Sequence, residues 1–367
     1  MRRAAVGTTP RRQAGVDDLD PAVAAALRAL PITRLQDYGL STADAQLIHE
    51  SARAGRVWST IGNDMAAVSL AAAAELRAAG WQSAATEREL YAALALNVCQ
   101  VPVLDPVEKA QQYTRIGSII GAATTQPGSP WTVIQDGSDG LYSVLARPAG
   151  NDPVPTVLMW GGLSGWGISY KRLGDVLVKN GIAVVLLELP GQGMSRLRSS
   201  RRLDESFVDD LDALSDDLLS RGATSSIGLL GNSAGGLFAA YAASKLNQVS
   251  AVCINSGIPD PASTILRFPR LNAQWAALFG VEPSEVDSAI EPWAFSGDAR
   301  HRIAGDILVL HGGVDSLVQE HEQEAFLRAA NPARSSMVVW VDCGHCIYER
   351  YAERDAVISE WFARVLD

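Results

Sequence analysis

The chain of 367 residues is 47% hydrophobic and 20% charged, the balance of a globular protein with a sizeable core, and it is long enough for a large domain plus an accessory one. A formal net charge of -10 excludes a nucleic-acid binder, because neutralising phosphates needs a basic face. Four cysteines are too few for a disulfide framework, and Cys343 and Cys346 lack a second pair to complete a zinc site, so all read as reduced thiols.

The first sixteen residues hold Arg2, Arg3, Arg11 and Arg12 with no acid and no apolar run behind them, which points to a disordered tail over residues 1–20 rather than a secretory signal. Residues 21–125 read as helical. Asp20-Pro21 is an N-cap followed by proline at the first helical position, and Val23, Ala26, Leu27 and Leu30 share a face before Pro31 stops the helix. Ser41-Thr42-Ala43-Asp44 opens a second helix that ends at Gly55. A third runs from Met65 to Ala79 and closes at Gly80, and two more are expected over Glu87–Val101 and from Pro106 to about Ile120. No stretch reaches the roughly 18 consecutive apolar residues of a membrane span, so a soluble, cytoplasmic protein with no membrane partner is expected.

From Trp131 the pattern changes to short β-rich runs. Trp131–Gln135 and Leu141–Arg147 flank a turn of Asp and Gly and read as a hairpin. Buried-strand runs follow at Thr156–Trp160, Ile182–Leu187, Ser226–Leu230, Val249–Ile254, Ile307–Leu310 and Met337–Val341. Amphipathic helices separate them; the one carrying Phe207, Leu211, Leu214 and Leu218 presents its aspartates to solvent. A hairpin and then alternating strands and helices predict an α/β domain over 126–367 with a mostly parallel, doubly wound sheet of eight strands. Residues 258–303 break the alternation with five prolines, Trp275 and Trp293, and are expected to form a cap insertion.

Gly231-Asn232-Ser233-Ala234-Gly235 lies between an expected strand and an expected helix, the context of a nucleophile elbow. Side chains other than glycine beside so sharp a turn would collide, and the helix N-terminus favours developing negative charge. A serine hydroxyl needs a base. Of five histidines only His345 follows the last strand, on the loop Asp342-Cys343-Gly344-His345-Cys346. His49 and His321 read as structural, and His311 as a core histidine ending a strand. The acid is expected after the preceding strand, at Asp315 in Leu310-His311-Gly312-Gly313-Val314-Asp315, where it would hold the imidazole and stabilise its cation. For the oxyanion, donors are expected at the N–H of Ala234 and of Leu163, with Gly162 as the neighbouring alternative. Ser164 and Trp166 of the loop Gly161–Gly167 are expected to face the substrate. That loop has the wrong glycine spacing for a dinucleotide fingerprint, and no cofactor or metal is implied. Glu188, in Glu188-Leu189-Pro190-Gly191-Gln192-Gly193, is either a partner of neighbouring loops or a second acid beside the pocket; structure is the favoured reading.

At these residues the chain resembles the α/β-hydrolase superfamily, within it the branch of FrsA-like esterases and dihydroxypseudooxynicotine hydrolases, which also takes in fungal polyketide-shortening hydrolases. The matching pieces are the helical N-terminal half, Gly161-Gly162-Leu163, Pro190-Gly191-Gln192-Gly193, the elbow through Gly236, and Gly344-His345-Cys346, over a stretch from about residue 58 to the end. The resemblance implies an α/β-hydrolase fold with an N-terminal helical domain, Ser233, Asp315 and His345 as triad, a pocket between helical domain and sheet, and often a homodimer. Where the pseudooxynicotine hydrolases carry a glutamate associated with carbon–carbon cleavage, this chain has Ser164, which argues against that cleavage here. Related hydrolase-like proteins of acyltetronate pathways eliminate acetate from acetylated intermediates. Three functions therefore stand: a serine hydrolase of an ester or activated ketone of a small, secondary-metabolite-like molecule; a lyase using His345 as base; and a non-catalytic small-molecule binder, which would not need all three triad members.

Overall fold

The structure, a computed structural model, describes residues 2–6 and 19–366. The described residues divide into two compact units, one holding residues 135–167 and 173–366 with the first strand, the other residues 19–134 together with Ile168–Arg172. The division falls at 134/135, inside the strand that opens at Trp131, where a boundary at 125/126 was expected; Trp131 is buried, and the Lys171 ammonium of the same unit stands 5.7 Å from its ring centroid.

The helical unit contains α1 (Pro21–Ala29), α2 (Ile32–Tyr38), α3 (Thr42–Arg53), α4 (Trp58–Ala78), α5 (Gln82–Cys99) and α6 (Pro106–Thr124). Two of the caps are those expected, Asp20 accepting from the N–H groups of Ala22 and Val23 and Ser41 from Asp44; Asp105 likewise accepts from Glu108. Pro31 ends α1 but also caps α2, so the chain turns and restarts where a plain stop was expected. Helices α4 and α5 pack tightly because Gly62 lets them close up: a Cβ there would sit 2.7 Å from Cys99 Cβ. Arg172 is drawn into this unit by the buried Asp37, with Nη2 2.6 Å from Oδ1.

The chain forms a nine-stranded sheet in the order β1-β9-β8-β7-β6-β4-β5-β3-β2. The strands are β1 (Arg2–Val6), β2 (Trp131–Asp136), β3 (Tyr142–Ala146), β4 (Val154–Trp160), β5 (Ala183–Glu188), β6 (Thr224–Asn232), β7 (Val249–Asn255), β8 (Asp306–Gly312) and β9 (Ser335–Trp340). All eight expected strands are present. The ninth, β1, corrects the reading of residues 1–20 as a disordered tail: its backbone pairs in parallel with β9, from Arg2 opposite Ser336 to Val6 opposite Trp340. A row of unpaired N–H and C=O groups along β9 is a template any extended segment can satisfy, whatever its side chains. Residues 7–18 of the expected tail lie outside the described residues.

Helices α7 (Lys171–Lys179), α8 (Gly193–Arg198), α9 (Phe207–Ser220), α10 (Ala234–Ala243), α14 (Glu324–Arg328) and α15 (Tyr351–Val365) connect or follow the strands. Between β7 and β8 the irregular segment forms α11 (Pro261–Arg267), α12 (Asn272–Phe279) and α13 (Val286–Ile290). Its tryptophans are not surface ornaments. Trp275 and Trp293 are buried, and Trp293 lies 5.1 Å from Phe238, 5.0 Å from Tyr241, 5.9 Å from Phe207 and 5.8 Å from Phe279, ring centroid to ring centroid. The insertion is thereby welded to α9 and α10. Trp293→Ala would leave a cavity between these helices and is expected to lower unfolding stability by about 3–5 kcal/mol in denaturant titration; a loss under about 1 kcal/mol would mean the insertion packs loosely.

Candidate active site

Four parallel strands, β4, β6, β7 and β8, deliver their carboxyl ends to one edge, where ligand sites of such sheets form. Strand β6 stops at Asn232 and α10 starts at Ala234, so Ser233 alone makes the turn, at φ 56° and ψ -129°. That conformation costs a non-glycine residue on the order of 1–3 kcal/mol and is held by its surroundings. The Ser233 N–H donates to Asn255 O at 2.9 Å, and the Gly236 N–H donates to Ser233 O at 2.8 Å. Backbone crowding explains the flanking glycines. A Cβ on Gly231 would lie 2.1 Å from Gly235 O, and one on Gly235 2.5 Å from Gly161 O. Behind them Trp160 Nε1 donates to Gly235 O at 3.0 Å, tying β4 to the first turn of α10.

The base and acid arrive from neighbouring strands. His345 lies after β9, with Nε2 2.8 Å from Ser233 Oγ and Nδ1 2.7 Å from Asp315 Oδ2. The Asp315 carboxylate can only accept, so Nδ1 carries the hydrogen and Nε2 of the neutral ring is free to accept from the serine. Asp315 follows β8; its Oδ1 accepts from the N–H groups of Leu317 at 2.8 Å and Val318 at 3.2 Å. Burial would raise the Asp315 pKa, but His345 and these N–H donors outweigh it and hold the carboxyl below its usual range. Burial works against the charged imidazole too, yet the Asp315 carboxylate raises His345 well above its ordinary 6.5. Ser233 and His345 are half-buried, Asp315 is buried.

The His345 loop is itself strained. Cys346 and Ile347 have φ of 60° and 59°, and Ser256, which faces them, has φ of 49°. Polar contacts hold this geometry: the Cys346 N–H donates to Ser256 Oγ at 3.0 Å and Arg354 Nη1 donates to Cys346 O at 2.8 Å. Arg354 is buried with its own counter-ion, Asp355, 2.7 Å away. Sequence reading missed Ser256, Arg354 and Asp355; an adjacent Arg-Asp pair on the helix that follows the histidine loop was the available signal.

The remaining expected residues fall as follows. Gly162 is buried against the elbow, where a Cβ would meet Ser233 Cβ at 3.0 Å and Ala234 N at 3.1 Å. Among the described residues the N–H groups of Gly162, Leu163 and Ala234 donate to no protein acceptor. Ser164 is half-buried on the same loop. Trp166 is buried, its indole nitrogen packed so closely on Gly193 that a Cβ there would lie 2.6 Å away. His311 is buried at the end of β8 and outside the triad's hydrogen-bond chain; burial lowers its pKa. His49 bonds to Leu30 O at 2.7 Å. All four cysteines are free and buried.

Glu188 ends β5 buried; its Oε2 accepts from the Met194 N–H at 2.5 Å and its backbone oxygen from Ser195 Oγ at 2.5 Å. Its carboxylate fills the room left by Gly167, where a Cβ would lie 2.3 Å from Oε1. These contacts tie Glu188 to the neighbouring loops.

Residues 151–283 match the Hydrolase_4 family, described as serine aminopeptidase, S33. The 2,6-dihydropseudooxynicotine hydrolase of Paenarthrobacter nicotinovorans is 25% identical over 226 residues, 60% of each chain. Esterase FrsA of Salmonella typhi is 30% identical over 133 residues, 32% of each chain. The chain thus aligns with less than two thirds of either curated relative. The crystal structure of a 2,6-dihydroxy-pseudo-oxynicotine hydrolase superposes with a TM-score of 0.80 at 22% identity, covering 91% of this chain and 95% of that one. No helix among the described residues is long and apolar enough to cross a membrane.

Burial pushes the Glu188 carboxyl up to about 7 against the hydrogen bonds of Met194 and Ser195. The native state therefore keeps a proton that the unfolded chain releases near 4.5, and stability falls as pH rises from 4.5 to about 7. Glu188→Gln removes that titration. Chemical denaturation at pH 5 and pH 8 should show the variant gaining roughly 3 kcal/mol on wild type across the window; a constant difference would mean the carboxyl titrates as if in water.

Proposed function

Because the chain belongs to the α/β-hydrolase superfamily, in the branch of the pseudooxynicotine hydrolase and FrsA-like esterases, we propose that it is a serine-dependent hydrolase acting on an ester or activated ketone of a small molecule. One observation carries this reading: the unbroken chain Asp315–His345–Ser233, with links of 2.7 and 2.8 Å. In it Ser233 Oγ attacks the substrate carbonyl while its proton passes to His345 Nε2. Asp315 stabilises the imidazolium from the far side. The negative oxygen of the tetrahedral intermediate takes the N–H groups of Ala234 and Leu163, which have no other acceptor among the described residues. His345 then returns the proton to the leaving group, and water releases the acyl group by the same path. The helical insertion between β7 and β8, fixed to α10, would supply part of the substrate wall.

The hydrolysis of p-nitrophenyl acetate tests the reading. Ser233→Ala should lower kcat by at least about 10⁴-fold with the fold intact by circular dichroism. If the serine variant instead keeps turnover that His345→Ala loses, and the product is an alkene, the enzyme is a lyase that uses His345 as base. A wild type that neither turns over nor reacts at Ser233 would make the protein a binder.

The pH dependence has a set direction. Activity requires neutral His345, so the rate rises with pH through its pKa, and the acid limb of kcat/KM should lie above pH 6.5. Asp315→Asn takes away the charge that lifts the imidazole, so the limb should move down as the rate falls by about 10⁴-fold. A limb left in place would sink the assignment of Asp315.

A further inference from the structure

From the loops at the carboxyl ends of β4 and β5, and resting on the hydrolase reading above, we infer that Gln192 is a positioning residue that aims the Leu163 and Gly162 N–H groups at the oxyanion. Gln192 precedes α8 and is 0% exposed. Its Oε1 accepts from the Leu189 N–H at 2.9 Å, while Nε2 donates to Gly161 O at 3.1 Å and to Gly162 O at 2.9 Å. The assignment of oxygen and nitrogen is forced. Turned over, the amide would set NH2 against N–H on one side and oxygen against two carbonyls on the other.

The two carbonyls matter because of what shares their planes. Every peptide bond among the described residues is trans, so C=O and N–H of one peptide point in opposite directions. The carbonyl of Gly161 shares its plane with the Gly162 N–H, and the carbonyl of Gly162 with the Leu163 N–H. By drawing both oxygens to itself, one buried amide directs both N–H groups away from itself. The loop touches the nucleophile at this same place, since a Cβ on Gly162 would be 3.0 Å from Ser233 Cβ and 3.1 Å from Ala234 N. Stabilising the turn 188–193 alone would need only the bond to Leu189. The other two bonds reach about thirty residues back to the loop after β4. Preorganised donors contribute because they need not reorient as charge develops, so a loosened loop should slow attack without touching the base.

The test is the rate at which an alkyl fluorophosphonate labels Ser233, a reaction that needs no knowledge of the substrate. Oγ bonds to phosphorus, fluoride leaves, the serine proton passes to His345, and the phosphoryl oxygen gathers charge in the oxyanion site. Gln192→Met keeps the length of the side chain without its polar atoms, and Gln192→Asn keeps the amide but falls one methylene short. Both should be labelled about 10–100-fold more slowly than wild type, as expected for misaimed rather than absent donors. The pH dependence of labelling should be unchanged, because His345 and Asp315 are untouched; a merely loosened fold would shift it. Wild-type rates in either folded variant would overturn the role of Gln192 alone. A shifted pH profile, or failure of both variants to fold, would overturn it too, by making Gln192 a determinant of the fold. An unlabelled wild type would overturn the hydrolase reading itself, with Ser233→Ala as the unlabelled control.

Discussion

Everything at the site hangs on one strained residue, Ser233, held at φ 56° between the end of β6 and the start of α10. Held so, its hydroxyl meets His345 Nε2 at 2.8 Å. Keeping it there demands backbone packing closer than side chains permit. Gly231, Gly235 and Gly161 lie against one another at distances where a Cβ would collide. Trp160 then bonds to the Gly235 carbonyl from the last position of β4, immediately before the loop Gly161–Gly167. The strain of one residue is thus distributed over three elements, which is the condition under which such conformations persist.

The histidine loop solves a related problem by other means. Cys346 and Ile347 also have positive φ, but neither is glycine, and no glycine stands beside Ile347. Here polar side chains fix the backbone: Ser256 accepts one N–H and Arg354 donates to one carbonyl. A buried arginine is tolerable because Asp355 compensates its charge next door. The serine is placed by the absence of side chains, and the histidine by their presence.

This difference explains what the sequence disclosed. The elbow, the loop glycines, Asp315 and His345 were legible because steric exclusion and chain order leave marks in a single line of residues. Strands buried on both faces were legible as unbroken apolar runs. Strand β1 was not, since its place depends on hydrogen bonds that any backbone can make to the edge of β9. Nor was α2, where Pro31 serves two helices at once. The partners Ser256, Arg354 and Gln192 act through distances of many residues to particular backbone atoms, and their own surroundings in sequence do not announce it.

The turn from Glu188 to Gly193 shows how little sequence is needed to govern a loop once contacts are long-ranged. At one end of the loop after β4, Gln192 holds the carbonyls of Gly161 and Gly162. At the other, the Glu188 carboxylate occupies the space beside Gly167, and Trp166 lies on Gly193. A neutral amide is the suitable group at the first position: a carboxylate there would repel the carbonyls and set a charge against the oxyanion loop. An acid is acceptable at the second because two donors meet it, Met194 at its carboxylate and Ser195 at its backbone oxygen, and because burial lets it keep a proton near neutrality. The loop is bracketed by one amide and one carboxyl, so its shape is set by the turn beside it rather than by its own four glycines of seven residues.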